Sequence, residues 1–275
     1  MRHMRTDSYG SFTKITDADD PRLLPYRNIR ERDLVGREQR FIAEGKVVLN
    51  VLFSSTARFE AESLLVLNSR LDGLQRSLNL PENIEIFCVP QHIMDEVAGF
   101  HVHRGILAVG KRKPQPTLPD LLAQRPKEAL IVALCGISNH DNVGSIFRNA
   151  AAFEADCVIM DETCCDPLYR KAIRVSVGAA LKVPYFRGMA IETIIEQLQA
   201  AGFDILALSP SSPLSIYDIK RQSRQCLLLG TEGEGLPQHL LQKLTTARIP
   251  MSQEFDSLNV ATASGIALSL FSRFR

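Results

Sequence analysis

Three short segments in the second half of the chain combine polar side chains with turns between apolar stretches. They cover residues 142–153, 230–236 and 249–263. The first, N-V-G-S-I-F-R-N-A-A-A-F, has apolar residues at helical spacing, which leave Arg148 on the opposite face of a predicted helix. The second, G-T-E-G-E-G-L, follows an apolar strand, and its three glycines let the backbone approach a ligand closely or adopt positive φ. This arrangement is typical of a ligand site.

The third segment runs from the end of a strand through a polar loop into a final apolar helix. Asp256 or Ser257 is expected to be the N-cap of that helix. Asn142 has two open interpretations, since it is either the N-cap of the first helix or a side chain that orients Arg148 or a nucleotide. His140 is a lone loop histidine, which more often contacts solvent or RNA than acts as a base.

At these three segments the chain resembles the SpoU (TrmH-like) family of RNA ribose methyltransferases in the SPOUT superfamily. The family motifs are an N-x-G-x-I-x-R helix, a G-x-E-x-x-G loop and an I-P-M…S-L-N-V segment, and their order and spacing agree here. The resemblance extends over roughly residues 129–275. The matching residues are Asn142, Gly144, Ile146 and Arg148, then Gly230, Glu232 and Gly235, then Ile249, Pro250, Met251, Ser257, Leu258, Asn259 and Val260. Three departures are N-H-D-N at 139–142 in place of D-P-x-N, Glu154 in place of a glycine often found after the Phe of the first motif, and Ala261 in place of a frequent serine.

The resemblance implies methyl transfer from S-adenosylmethionine to a ribose 2′-hydroxyl of structured RNA. It implies a cofactor held against main chain with apolar support. The residues that it assigns to the cofactor are Leu229, Gly230, Gly235, Ile249, Met251, Leu258 and Asn259. The residues that it assigns to catalysis are Arg148, Asn142, Glu232, Ser257 and Asn259. No metal is implied, and no His or Cys lies at a zinc-ligand spacing.

Arg148 is the implied catalytic cation. A guanidinium has a pKa above about 12 and stays protonated, so a general-base role is physically awkward. A charge-stabilising role fits better, in which Arg148 holds a phosphate beside the target ribose and lowers the effective pKa of the hydroxyl. The alternative is a surface arginine paired with an acid.

The elements that position these residues follow an α/β pattern. Strands are predicted at 129–135, 156–160, 180–184, 203–209, 226–230 and 247–250, with helices at 142–153, 167–177, 191–200, 237–244 and 258–274. Parallel strands buried under helices are the physical outcome of such alternation. The resemblance adds a C-terminal trefoil knot, which periodicity alone would not predict.

The 275 residues suggest two domains. We expect an extended or partly disordered arm at 1–32, a smaller α/β RNA-binding domain at 33–113 and a methyltransferase domain at 128–275. The smaller domain resembles a ribosomal-protein-like RNA-binding fold. Four prolines and a basic composition predict a solvated linker at 114–127.

Composition restricts the partners. The formal charge of +1 does not indicate a nucleic-acid binder, so a positive surface must come from local clusters. One cluster without a nearby acid in the sequence is Arg104, Lys111, Arg112 and Lys113, the expected RNA contacts. No apolar stretch reaches the ~20 residues that cross a bilayer, and the N-terminus lacks an apolar leader, so a cytoplasmic location is expected. The six cysteines show no C-x-x-C spacing, and Cys88, Cys135, Cys157 and Cys226 are expected to be structural thiols in or at the ends of strands. The adjacent loop residues Cys164 and Cys165 are assigned no function.

Two further expectations come from the resemblance alone. They are a homodimer formed through the C-terminal domain, and ribosomal RNA as a favoured substrate over tRNA. A tRNA 2′-O-methyltransferase and a non-catalytic RNA-binding or assembly protein that retains the fold are the alternatives.

Overall fold

The structure is a computed structural model that describes residues 12–28, 33–36, 38–75, 78–81, 83–231, 233–252, 254 and 256–274. The chain divides into two compact units. The first unit is Met1–Lys113 with Leu168–Arg174, and the second is Pro114–Pro167 with Val175–Arg275. Among the described residues, no helix has the length and apolar character needed to cross a bilayer.

The first unit contains a mixed five-stranded sheet. Its strands are β1 Phe12–Lys14, β2 Arg40–Glu44, β3 Glu60–Leu67, β4 Glu85–Val89 and β5 Ile106–Lys111, and its helices are α1 Asp33–Gly36, α2 Lys46–Leu52, α3 Leu71–Gln75 and α4 Gln91–Ala98. The strand order is β1-β4-β3-β5-β2. Strands β1, β3 and β4 are parallel to each other, and β5 is antiparallel to both β3 and β2.

The described part of the N-terminal arm is ordered. Strand β1 pairs with β4, and a 3-10 helix, Pro21–Tyr26, follows it. Leu23 and Tyr26 are fully buried, and the Tyr26 hydroxyl lies 2.7 Å from the Ser63 Oγ. The expectation of an extended or partly disordered arm is therefore wrong for residues 12–28. The buried residues Ile15, Ala18, Leu23 and Tyr26 are scattered among mostly polar residues, so the sequence pattern did not predict this packing.

The cluster of Arg104, Lys111, Arg112 and Lys113 is not one surface. Arg104 precedes β5 and Lys111 ends it, so extended chain of roughly 23 Å separates them. Pairing of β3 with β5 also places Glu60 opposite Lys111, and Lys113 forms an ion pair with Glu60. The expectation that no acid lies near this cluster is wrong, because cross-strand pairing brings together residues that are distant in sequence.

The second unit contains a six-stranded parallel sheet. Its strands are β6 Ala129–Leu134, β7 Cys157–Met160, β8 Tyr185–Arg187, β9 Asp204–Leu208, β10 Arg224–Leu229 and β11 Thr245–Ala247, and its helices are α5 Leu118–Ala123, α6 His140–Ala152, α8 Ile191–Ala200, α9 Gln238–Leu241 and α10 Val260–Phe271. The strand order is β11-β9-β10-β6-β7-β8. Helix α7, Arg170–Val175, belongs to the first unit up to Arg174. All six residues of β6 are buried, as parallel strands between helices require.

The segment predicted as a solvated linker is partly helical and buried. Thr117 caps α5, and Leu118, Leu121 and Leu122 lie in the core that β6 and α8 share. The linker prediction is wrong for this stretch because Pro119 occupies the first turn of a helix, where proline is tolerated.

Three predicted elements differ in the structure. The strand expected at 180–184 is replaced by a 3-10 helix, Ala179–Leu181, which begins after Gly178 at φ +86°, and by β8 beyond it. The helix expected at 237–244 is only α9. The strand expected at 247–250 is β11, which ends at Ala247, because the chain turns toward the site there. The other strand and helix predictions of the second unit agree with the structure to within a few residues at each end.

Candidate active site

A cavity of about 380 Å³ opens where β9, β10 and β11 end. Parallel strands end at a common edge, and ligands of open α/β sheets bind in the crevice beyond that edge. Six of the seven predicted cofactor residues line this cavity, as does Ser257. The seventh cofactor residue, Asn259, lies between two lining residues. The predicted residues that line the cavity are Leu229, Gly230, Gly235, Ile249, Met251, Ser257 and Leu258.

The glycine-rich loop folds tightly against itself at Gly230. A Cβ on Gly230 would lie 2.5 Å from the carbonyl carbon of Gly235 and 2.6 Å from the nitrogen of Leu236. The Thr231 hydroxyl also donates to the Gly235 carbonyl over 3.3 Å. Gly235 has φ +72°, a conformation that favours glycine. The loop backbone is therefore packed tightly at the cavity.

The final helix begins at Asn259. The Asn259 Oδ1 accepts hydrogen bonds from the backbone nitrogens of Ala261 at 3.0 Å and Thr262 at 3.2 Å, so Asn259 is the N-cap of α10. The prediction that Asp256 or Ser257 caps this helix is wrong. Both residues precede the helix and line the cavity instead.

Asn142 connects the first segment to the third. The cap of α6 is Asn139, whose side chain accepts from the Asp141 backbone nitrogen over 2.8 Å. Asn142 lies inside the helix and is buried, and its Oδ1 accepts a hydrogen bond from the Asn259 Nδ2 at 3.0 Å. The capping interpretation of Asn142 is therefore excluded, and its side chain orients the start of α10.

A second asparagine on α6 was not predicted. The Asn149 Nδ2 donates to the Ala261 carbonyl at 2.8 Å and to the Ser264 Oγ at 2.9 Å. Asn149 follows Asn142 by seven residues, which places both on one helix face. That spacing of two asparagines was the signal in the sequence that both bind the same neighbour.

Arg148 projects from the exposed side of α6. It forms no ion pair or hydrogen bond with the part of the chain that the structure describes, and it is not part of the cavity wall. The interpretation of Arg148 as a surface arginine paired with an acid is thus unsupported among the described residues. Glu232, which the resemblance assigns to catalysis, lies outside those residues.

The loop after β9 also lines the cavity and carries no family motif. Leu208, Ser209, Pro210 and Ser211 belong to the wall, and the hydroxyls of Ser209 and Ser211 lie 3.0 Å apart. The S-P-S-S-P stretch after an apolar strand was the available signal. It could not be interpreted until the strand order placed β9 beside β10.

A buried carboxylate holds the loop that leads into α6. Asp161 follows β7, and its two oxygens accept from the backbone nitrogens of Gly136, Thr163 and Cys164 and from the Thr163 hydroxyl, at 2.8–3.0 Å. Burial, with Asp161 nearby, raises the pKa of the Cys135 thiol to about 12. Burial likewise raises the pKa of Cys165 to about 12. These thiols stay protonated, as structural cysteines do.

Comparison with known proteins identifies the family. Residues 129–269 match the model of the SpoU rRNA Methylase family. The chain belongs to this family. The predicted family membership and the α/β class with a parallel sheet are therefore confirmed, and the chain is a SpoU-family RNA methyltransferase.

Relatives match well beyond the three motifs. The SpoU-family chain is 38% identical over 263 residues to an uncharacterized tRNA/rRNA methyltransferase of Mycobacterium bovis, which covers 92% of this chain and 89% of that protein. It is 30% identical over 196 residues to the 23S rRNA (guanosine-2′-O-)-methyltransferase RlmB of Salmonella typhi, across 68% of this chain and 78% of RlmB. Its fold is similar to that of an AdoMet-bound rRNA methyltransferase from Sinorhizobium meliloti, with a TM-score of 0.81, 23% identity and coverage of 96% and 98%.

Proposed function

We propose that the protein transfers a methyl group from S-adenosylmethionine to a ribose 2′-hydroxyl of ribosomal RNA. The observation that carries the proposal is the bond from Asn259 to Asn142, which ties the helix bearing Arg148 to the segment that lines the cavity. The name of RlmB specifies 2′-O-methylation of 23S rRNA, and the relative from Sinorhizobium meliloti binds AdoMet. Both names favour ribosomal RNA over tRNA.

The cavity suits S-adenosylmethionine in size and chemistry. Its volume lies in the range of small-ligand sites, which is about 300–1,000 Å³. Leu229, Ile249 and Leu258 offer an apolar wall for the adenine, and Gly230 lines the cavity where the loop backbone packs against Gly235 and Leu236. The acidic residues Glu234 and Asp256 are also among the residues that line the cavity, so a positively charged sulfonium would lie near opposite charge.

In the proposed mechanism, S-adenosylmethionine supplies an electrophilic methyl group. The ribose hydroxyl is a weak acid, so the enzyme must stabilise the charge that develops on its oxygen. Arg148 is exposed and unpaired among the described residues, so its guanidinium is available to hold an adjacent phosphate. Asn142 acts as a positioning residue, because it fixes the distance between α6 and the start of α10.

We also propose that the second unit is knotted and forms a homodimer, as the family resemblance implies. Support for the threading comes from the segment around Arg248. Its backbone pairs with Leu214 and Ile216, and its side chain donates to the carbonyls of Ser212 and Pro213. Strand β11 pairs with β9 on the other side. A late segment is thus bonded between a strand and the loop that follows that strand.

The test is methyl transfer from labelled S-adenosylmethionine to purified rRNA and tRNA. Incorporation into rRNA at ribose 2′-oxygens, located by resistance to alkaline cleavage, is expected. Label in tRNA alone would refute the choice of ribosomal RNA. RNA binding without calorimetric binding of S-adenosylmethionine would instead favour a non-catalytic assembly protein.

Size-exclusion chromatography with light scattering tests the proposed homodimer.

A further inference from the structure

One edge of the sheet in the first unit collects several exposed cationic and aromatic side chains. Strands β2, β3 and β4 all end at this edge, and β5 begins there, because β5 is antiparallel to β2 and β3. The turns at this edge form what we name the cationic edge. Its exposed basic residues are Lys46, Arg70, His101, His103 and Arg104.

Two arginines of the cationic edge lie against glycines. A Cβ on Gly45 would lie 2.5 Å from the Arg104 Cδ, and a Cβ on Gly105 would lie 3.3 Å from the Arg70 Cγ. Arg104 also donates from its Nη1 to the Glu44 carbonyl over 3.4 Å. The absence of side chains at these glycines lets both arginine side chains lie along the backbone while both residues remain exposed.

The charge of the cationic edge is not cancelled by its nearest acids. The Glu44 carboxylate is buried and pairs with Arg170 at 2.7 Å, and Asp95 is held by His101 at 2.7 Å. Asp72, in the first turn of α3, is a further carboxylate near this edge. Within the described residues, neither Arg70 nor Arg104 forms an ion pair.

The opposite edge of the same sheet is different. There Arg40 pairs with Glu62 at 2.7 Å and with Glu38 at 3.4 Å, and Lys113 pairs with Glu60. These lysine and arginine charges are matched locally by carboxylates. A polyanion is therefore attracted less strongly to the edge at Lys111 and Lys113 than to the cationic edge.

The cationic edge also presents two imidazole rings. His101 and His103 stand edge to face, with ring centroids 4.4 Å apart and planes at 84°. The Asp95 carboxylate fixes the His101 ring and accepts from the Val102 backbone nitrogen at 2.9 Å, so the turn is held in place. Both rings are exposed. A flat ring beside fixed cations is the arrangement on which proteins stack unpaired RNA bases.

We propose that the cationic edge is the RNA-contact surface of the first unit. Arg70 and Arg104 bind backbone phosphates, and the His103 ring stacks on an unpaired base. This inference rests on the RNA methyltransferase function proposed above, and it moves the RNA contact away from Lys111 and Lys113.

Binding of a 23S rRNA transcript by the full-length protein tests the location. Arg70→Gln and Arg104→Gln are each expected to weaken binding about three- to tenfold, and to reduce the slope of log affinity against log salt by about 1. Lys111→Gln, which removes one exposed charge at the opposite edge, is the matched control and should bind within about twofold of wild type. S-adenosylmethionine affinity and the thermal midpoint should stay unchanged in all three.

The stacking role has its own control. His103→Ala should weaken RNA binding, whereas His103→Phe keeps a flat ring without the imidazole nitrogens and should retain the affinity. Equal losses in both variants would overturn the stacking role. Equal losses in Lys111→Gln and Arg104→Gln would overturn the location.

The two proposals fail in different ways. If the wild type methylates rRNA while Arg70→Gln and Arg104→Gln bind the transcript as tightly as wild type, only the cationic edge is refuted. If the wild type neither binds nor methylates the transcript, the surface and the proposed function are refuted together.

Discussion

The side-chain amide of Asn259 donates to the side-chain oxygen of Asn142 across 3.0 Å, although 116 positions of the chain separate the two residues. The same Asn259 caps α10 through its own oxygen. Asn259 thus both begins the last helix and bonds its first turn to the helix that carries Arg148.

Asn142→Ala should lower methyl transfer strongly while leaving the fold nearly intact, because it removes the bond to Asn259 at the start of α10 and leaves the Asn149 bonds to α10 in place. Asn142→Asp keeps an acceptor for the Asn259 amide and should retain most of the turnover. Asn259→Ala loses the cap as well and should cost about 1 kcal/mol of unfolding free energy. Labelled-methyl incorporation and urea denaturation measure these effects. A loss of turnover in Asn142→Asp as large as that in Asn142→Ala would contradict the positioning role.

The sequence predicted the alternation of strands and helices in the second unit because parallel strands are continuous apolar runs with clear limits. The strand Ala129–Leu134 is an example, and the helix Ile191–Ala200 shows the apolar residues at helical spacing that alternate with such strands. It failed at 180–184, where the local run is apolar but Gly178 adopts positive φ and starts a 3-10 helix instead. Backbone geometry at one glycine therefore outweighed the apolar pattern.

Within the site, the motifs predicted the cavity residues that the second and third segments supply. They could not predict Ser209 and Ser211, since these residues join the cavity only through the order of strands in the sheet. The cationic cluster failed for a related reason. Whether Lys111 faces an acid depends on which residue of β3 lies opposite, and cross-strand register is not local information.

Arg148→Ala should reduce the rate of methyl transfer about 100-fold or more, because no other described cation of α6 can replace its charge. Cofactor affinity by calorimetry should change little, since Arg148 is not part of the cavity wall. Arg148→Lys keeps the charge but loses the planar fork, and an intermediate rate is expected. Lys182→Ala, an exposed cation of the same unit, is the control. Parallel losses of rate and cofactor binding would count against the assignment.

Asp161→Asn should destabilise the second unit by about 1–3 kcal/mol, because an amide nitrogen would face a backbone N–H that now meets a carboxylate oxygen. The loop from Gly136 to α6 would lose its anchor, so methyl transfer should fall too. Thr163→Val removes only the hydroxyl bond to Asp161 and should cost about 1 kcal/mol. Urea denaturation of both variants checks whether Asp161→Asn is the more destabilising substitution. A larger loss of stability in Thr163→Val would contradict the prediction.

Buried thiols predict a loss of stability at alkaline pH. The folded-state pKa of Cys135 is about 12, raised by burial from an ordinary value of 9.0. The folded state therefore retains a proton that the unfolded state loses, so this contribution is complete below pH 9 and declines as the pH rises toward 12. The urea midpoint should fall between pH 8 and pH 10.5. In Cys135→Ala the urea midpoint should fall less steeply with pH. If its pH dependence is identical to that of the wild type, Cys135 does not contribute to the alkaline loss of stability.

Substitutions at two glycines of the same loop test whether close backbone packing or loop flexibility determines cofactor affinity. Gly230→Ala would place a Cβ within 2.5–2.7 Å of backbone atoms of Gly235 and Leu236, whereas a Cβ on Gly233 meets nothing within 4 Å. Because backbone cannot yield as a flexible side chain does, Gly230→Ala should displace the loop at a cost of about 1–3 kcal/mol. S-adenosylmethionine binding should weaken with it, while Gly233→Ala should bind nearly as wild type does. Calorimetry on both variants distinguishes the two effects: equal weakening would mean that loop flexibility, and not the close packing at Gly230, determines cofactor affinity.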